Sequence, residues 1–232
     1  MSRWDTVVIG AGAAGLVAAE RSAAIGRRTL LLEKARKAGV KILMSGGTRC
    51  NITHATDVRG IVAAYGHNGR FLHSPLSYLG PDDVVGLFAS AGVATKVEST
   101  GKVFPRSDRA NDVRDALVER LQAVGAELAL GTAVVELKMH GTEFRIRSER
   151  QEWIAEHLIV TTGGRSYPGC GTTGDGYEWL RSLGHSIVTP VPSLVPLTSD
   201  AAWIRELQGL TFDDVELSLW DVDSEREALP KR

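Results

Sequence analysis

Three glycines, Gly10, Gly12 and Gly15, stand in the spacing G-x-G-x-x-G within DTVVIGAGAAGLVAAERSAAIGRRTLLLEK, residues 5–34, and an acid, Glu33, closes that run. This is chemistry for holding phosphate and ribose. Gly10 permits a tight turn, Gly12 lets a pyrophosphate approach the backbone, and Gly15 lets a helix pack close to a strand. The helix opens at Ala13 and Ala14, where free N–H groups and the positive helix end hold the phosphates. Glu33 falls about 20 residues further on, where a carboxylate accepts hydrogen bonds from adenosine ribose hydroxyls and disfavours a 2′-phosphate. The expected ligand is FAD or NAD rather than NADP. Lys34 and Lys41, two nearby basic residues, join the candidate binding set.

The elements that must position these groups are legible around them. Thr6 to Ile9 is β-rich and apolar, as suits a buried parallel strand. Ala13 to Ala24 is Ala-rich, with Gly26 where a helix stop belongs, and Thr29 to Leu32 is the next apolar run. Further along, residues 71–79 and 81–92 read as short helices, with Pro81 at N1 and Gly92 as a stop. Residues 94–105 read as a small hairpin, and 107–125 as an amphipathic helix with Val113, Leu117 and Leu121 on one face. Residues 126–164 read as four strands. The last, AEHLIVTTGG, ends in Thr162, Gly163 and Gly164, which bring the backbone close to a dinucleotide at the carboxyl edge of the sheet. A glycine-rich loop then leads to a helix over Tyr177 to Leu183, capped by Asp175 or Thr173 and stopped by Gly184.

Composition narrows the function. The formal net charge is −1 with basic residues scattered, so no nucleic-acid face is expected. Cys50 and Cys170 are the two cysteines, far apart and without CxxC spacing. They make neither a disulfide framework nor a zinc site, and a reducing, cytoplasmic setting is expected. The histidines have no ligand-like spacing, so no metal is expected, and neither a targeting segment nor a membrane span is read.

Between the second strand and the helices lies GVKILMSGGTRCNITH, residues 39–54, which reads as neither helix nor strand. Together with TGGRSYPGCGTTGDGYEWLRSLGH (162–185) and PSLVPL (192–197), it resembles the bacterial BaiN-like flavoproteins, described as NAD(P)/FAD-dependent oxidoreductases with members called aminoacetone oxidases. The resemblance covers essentially the whole chain. It implies an α/β fold: a Rossmann-like FAD-binding domain of glutathione-reductase type with a small β-meander, over residues 1–191, followed by the start of a β-rich substrate domain over 192–232.

The resemblance lays Ser45, Gly46, Gly47, Arg49, Cys50 and Asn51 along FAD. Glycines allow main-chain N–H groups to approach a flat ring, and Arg49 can offset phosphate or reduced-flavin charge. It gives Val134 a backbone contact to the adenine and turns Tyr167 and Cys170 toward the flavin or substrate. Thr48 stands where the family usually has a third glycine, and a Thr with positive φ is strained. The implied activity is FAD-dependent hydride transfer, with NAD(P)H as donor and an unknown small-molecule substrate. No catalytic base is identified. In the family the chain runs on beyond the β region entered at residues 210–221 and returns to the FAD domain. The alternative is a non-catalytic FAD-binding module.

Overall fold

Apolar runs become strands and glycines become turns in the computed structural model, which describes residues 2–211 together with 215, 216, 218, 220, 221, 226 and 227. β1 (Ser2–Ile9), α1 (Ala13–Ala24) and β2 (Thr29–Leu32) form the expected unit, with β1 and β2 parallel and Ile9 opposite Leu32. Val7, Ile9, Leu30 and Leu32 face one side of the sheet, Val8 and Leu31 the other, and all six are buried. A strand covered on both faces needs an unbroken apolar run rather than alternation, and these two strands have it.

The chain next forms a short helix, α2 (Val40–Met44), and a two-residue strand, β3 (Thr53–His54). A helical stretch follows: α3 (Val58–Ala64), a 3₁₀ segment (Gly66–Leu72), α4 (His73–Tyr78) and α5 (Pro81–Ser90). β4 (Thr95–Val97) and β5 (Lys102–Pro105) make the expected hairpin, and β3 pairs with the other edge of β5. α6 (Ala110–Ala123) packs against α1 and buries Val113, Leu117 and Leu121, as its periodicity requires.

Four strands follow, β6 (Glu127–Ala129), β7 (Val134–His140), β8 (Glu143–Ser148) and β9 (Glu152–Val160). The main sheet runs β6-β2-β1-β9-β8-β7. Its first four strands are parallel, and β9-β8-β7 is an antiparallel meander sharing β9 with them. A 3₁₀ turn (Pro168–Cys170) and α7 (Asp175–Ser182) complete a first unit, Met1–Ile187. The second unit, Val188–Arg232, contains α8 (Trp203–Glu206) and a ladder of β10 (Trp220–Asp221) with β11 (Arg226–Glu227). Of the strand expected over residues 210–221, residues 212–214, 217 and 219 lie outside the described residues, and among the described ones only Trp220 and Asp221 are in a strand. Among the described residues, no helix is long and apolar enough to cross a membrane.

Two local expectations are corrected. Residues 39–54 do contain regular structure, α2 and β3. Gly39 enters α2 at φ +70°, and Ile42, 6% exposed, anchors it in the core. Such a short helix persists through tertiary packing, not propensity. Neither Thr173 nor Asp175 caps α7, which starts from Gly174 at φ +87° with no side-chain cap. The two side chains bind each other and Lys34 instead.

Candidate dinucleotide site

The turn from β1 into α1 is defined by where its backbone groups go. Gly10 N–H donates to Leu32 O at 2.8 Å, and Ala11 O accepts from Gly39 N–H at 2.8 Å. Ala11 N–H donates to Glu33 Oε2 at 2.7 Å. α1 then begins after Gly12 with no side-chain cap, so its first-turn N–H groups remain donors without an intrahelical partner. Gly12, Ala13 and Ala14 line a cavity of about 780 Å³, within the size range of small-molecule sites.

The three glycines divide the work as their spacing predicts. Gly10 has φ +102°, and a Cβ there would lie 2.7 Å from Thr161 O. A Cβ at Gly15 would lie 1.8 Å from Gly10 O, so Gly15 is required for the close packing of α1 on the turn and does not itself line the cavity. At Gly12 a Cβ would meet nothing within 4 Å, which leaves the approach to the helix end open.

Glu33 lines the cavity, but its carboxylate is already engaged by backbone. Oε2 takes the Ala11 N–H and Oε1 the Ala35 N–H at 2.8 Å. Its first role is therefore to hold the glycine turn, and each oxygen keeps a further lone pair for a ribose hydroxyl. Thr132 N–H, bonded to Glu33 O at 2.8 Å, brings Thr132 and Val134 to the same end of the cavity.

Ser45, Cys50 and Asn51 also line the cavity, with Lys41 and Ile42 of α2. Cys50 is buried at φ +66°, and burial pushes its thiol pKa up against a smaller lowering by the Ser45 hydroxyl. Thr48 sits at φ +70°, the strained conformation its sequence position implied. The 161–175 segment forms a third wall through Thr161, Thr162, Gly163, Cys170, Thr172 and Asp175. Lys41 Nζ donates to Ser166 O at 2.7 Å, and Lys34 Nζ to Asp175 Oδ2 at 2.7 Å. The Lys34 contact is the main cause that holds the Asp175 pKa below the ordinary carboxylate value.

Some expected ligand residues lie elsewhere. Arg49 does not line the cavity: Nη1 pairs with Glu98 Oε1 at 2.5 Å, and the guanidinium stands 4.1 Å from the centroid of Phe104. Glu98 and Asp108 neutralise it beside the β4–β5 hairpin, so it ties the loop to that hairpin. Gly46, at φ +58°, packs on Phe104, where a Cβ would come within 2.7 Å of the ring, and Gly47, at φ +66°, turns the loop. Gly164 sits beneath the Tyr177 hydroxyl, and Tyr167 is 72% exposed; neither lines the cavity. Cys170 does line it, and its Sγ contacts Met44 Sδ at 2.9 Å.

Thr161, Thr132 and an apolar wall of Val17, Leu87, Phe88, Val113 and Leu117 were not marked by any motif. The wall comes from three helices whose apolar faces read as ordinary core.

The donor set fits a dinucleotide: uncapped helix amides, an open Gly12 and a carboxylate at the end of β2, all on one cavity. Fold and site together define a Rossmann-like domain of the FAD-binding type. Residues 4–219 match the family described as the HI0933-like protein Rossmann domain, and the chain belongs to that family. It is 33% identical over 210 residues to the ribosomal RNA dihydrouridine synthase of Escherichia coli, covering 90% of this chain and 52% of that protein. It is also 33% identical over 192 residues to the 3-dehydro-bile acid delta(4,6)-reductase of Clostridium scindens, covering 82% of this chain and 46% of that protein. The chain thus spans about half the length of the curated relatives it matches, and the BaiN-like resemblance is borne out. Among solved structures, the 3-ketosteroid-delta4-(5alpha)-dehydrogenase of Rhodococcus jostii RHA1 shares the fold. Its TM-score is 0.54 at 14% identity, over 72% of this chain and 47% of that one.

Proposed function

We propose that this chain is the FAD-holding part of an oxidoreductase that reduces a carbon–carbon double bond conjugated to a carbonyl, with NAD(P)H as electron donor. The observation that carries the cofactor is the convergence of the unpaired Gly12–Ala14 amides and Glu33 on one cavity. The reaction class is supported by the names of the two relatives. Forming dihydrouridine saturates a ring double bond conjugated to a carbonyl, and a delta(4,6)-reductase acting on a 3-dehydro steroid does the equivalent.

FAD supplies the hydride chemistry when bound. The chain's residues bind and orient. The α1 amides take the pyrophosphate, with the helix dipole adding to their attraction. Glu33 fixes the turn and offers its remaining lone pairs to ribose. The Val134 strand and Thr132 flank the adenosine end, and Ser45, Cys50 and Asn51 flank the flavin end. Thr162 and Gly163 bring the backbone that follows β9 to the same groove.

A small-molecule substrate in the cytoplasm is part of the proposal. A net charge of −1 gives little drive toward RNA, and the two free cysteines suit a reducing compartment. The E. coli relative's name favours RNA as the competing substrate.

The test is the visible spectrum of the purified chain with FAD, then anaerobic NADH or NADPH, then a steroid enone or a uridine-containing RNA. Flavin bands that bleach and return with the enone support the proposal. Return only with RNA replaces the substrate class, bands that persist with both nucleotides remove the donor, and failure to bind FAD removes the reading itself.

A further inference from the structure

Each polar group of the Ile9–Ala11 turn has a partner, but one is held unusually. Gly10 O lies against Gly15, where even a Cβ would come within 1.8 Å. Among the described residues, the hydrogen bond to it comes from a side chain 151 positions away, Thr161 Oγ1 at 2.9 Å. Thr161 Oγ1 also lies 2.9 Å from Ile9 O, so the two carbonyls share its one proton; Ile9 O already accepts the Thr161 N–H at 2.9 Å, which leaves Gly10 O as the acceptor that depends on the hydroxyl. The hydroxyl fits because Gly15 has no Cβ, which would lie 2.6 Å from it. Glu33 Oε2 grips the next residue, Ala11, from the opposite side of the turn.

We propose that Thr161 is a positioning residue for the phosphate-binding turn: its hydroxyl fixes the Gly10–Ala11 peptide, and with it the direction of the Gly12–Ala14 amides. The peptide plane is rigid, so holding Gly10 O on one side sets the Ala11 N–H on the other, the group that Glu33 receives. Thr161 and Glu33 thus clamp one peptide from both ends. An aligned set of donors binds phosphate without reorganising, whereas a peptide free to rotate must be ordered on binding. The inference concerns the turn of the ligand-free chain and rests on the FAD reading only for its ligand.

The experiment compares wild type, Thr161→Val, which keeps the shape and loses the hydroxyl, and Thr161→Ser, which restores it. Exchange of the Gly10 and Ala11 amides, the hydrogen-bonded ones of the turn, is read in the ligand-free protein, with FAD dissociation constants and thermal midpoints alongside. The expected result is faster exchange confined to the turn and FAD binding about five- to tenfold weaker in Thr161→Val, the effect of one hydrogen bond, with Thr161→Ser close to wild type in both. Unchanged turn exchange in Thr161→Val overturns the proposal. So does exchange that rises evenly across β1, β2 and β9, or an affinity loss that serine fails to restore, because either marks a general packing defect. If wild type binds no FAD, the FAD reading fails, while the exchange arm still decides the clamp.

Discussion

Removing the Glu33 carboxylate separates two roles that the sequence alone merges. A ribose ligand matters only when ribose is present. A clamp matters in the ligand-free protein. Glu33 accepts two backbone N–H groups, from Ala11 at 2.7 Å and Ala35 at 2.8 Å, in a partly buried setting. Hydrogen bonds to a charged group contribute about 1.5–3 kcal/mol each, and partial exposure reduces that. Glu33→Ala is therefore expected to destabilise the ligand-free chain by about 3 kcal/mol, a fall of about 6–12 °C in Tm for a domain of this size. Glu33→Gln keeps one acceptor oxygen and should lose about half as much. The assay is thermal and urea denaturation without ligand, with FAD titration in parallel. A ligand-free Glu33→Ala midpoint indistinguishable from wild type, combined with weaker FAD binding, would refute the clamp and return Glu33 to a ribose ligand alone.

Other consequences follow from single side chains. Thr48→Gly should stabilise the chain by about 0.5–1 kcal/mol, since relief of a left-handed β-branched residue outweighs the freedom glycine adds to the unfolded state; a lower Tm would show that the loop needs the threonine. Glu20 is 6% exposed, pairs with Arg120 at 2.8 Å, and leaves Oε2 without a partner among the described residues. Arg120→Ala should thus cost about 3–5 kcal/mol while Glu20→Met is near neutral, and equal losses in denaturation would contradict that asymmetry. Cys170 should react with iodoacetamide before Cys50, whose thiol is buried and held above its ordinary pKa; mass spectrometry of the labelled peptides decides. Because the folded Cys50 pKa lies above the unfolded one, its contribution is complete below about pH 8.5 and is lost as pH rises through the folded value, so Cys50→Ala should flatten that alkaline loss in denaturation midpoints.

The βαβ unit was legible because its determinants are local: a glycine at each tight place, an apolar run for each buried strand, an acid at the end of the second. Gly10, Gly12 and Gly15 occupy the positions their spacing dictates. The same holds for α6, whose apolar face repeats at helical period over its full length. What stayed hidden depends on groups distant in sequence. Arg49 reads as a phosphate cation until Glu98 and Asp108 arrive beside it from the hairpin. α2 is too short to announce itself and exists because Ile42 is buried in the core. Thr161 next to Thr162 looks like a strand residue, and its contact with Gly10 O appears only when β9 lies beside β1.

The uncapped start of α1 is proposed to receive a dinucleotide pyrophosphate. The most direct measurement is a ¹H–¹⁵N spectrum of the folded chain titrated with FAD and, separately, with ADP. Saturable shifts centred on the Gly12, Ala13 and Ala14 amides are expected with both ligands. Shifts centred elsewhere, or none for a chain that is otherwise folded, would contradict that role.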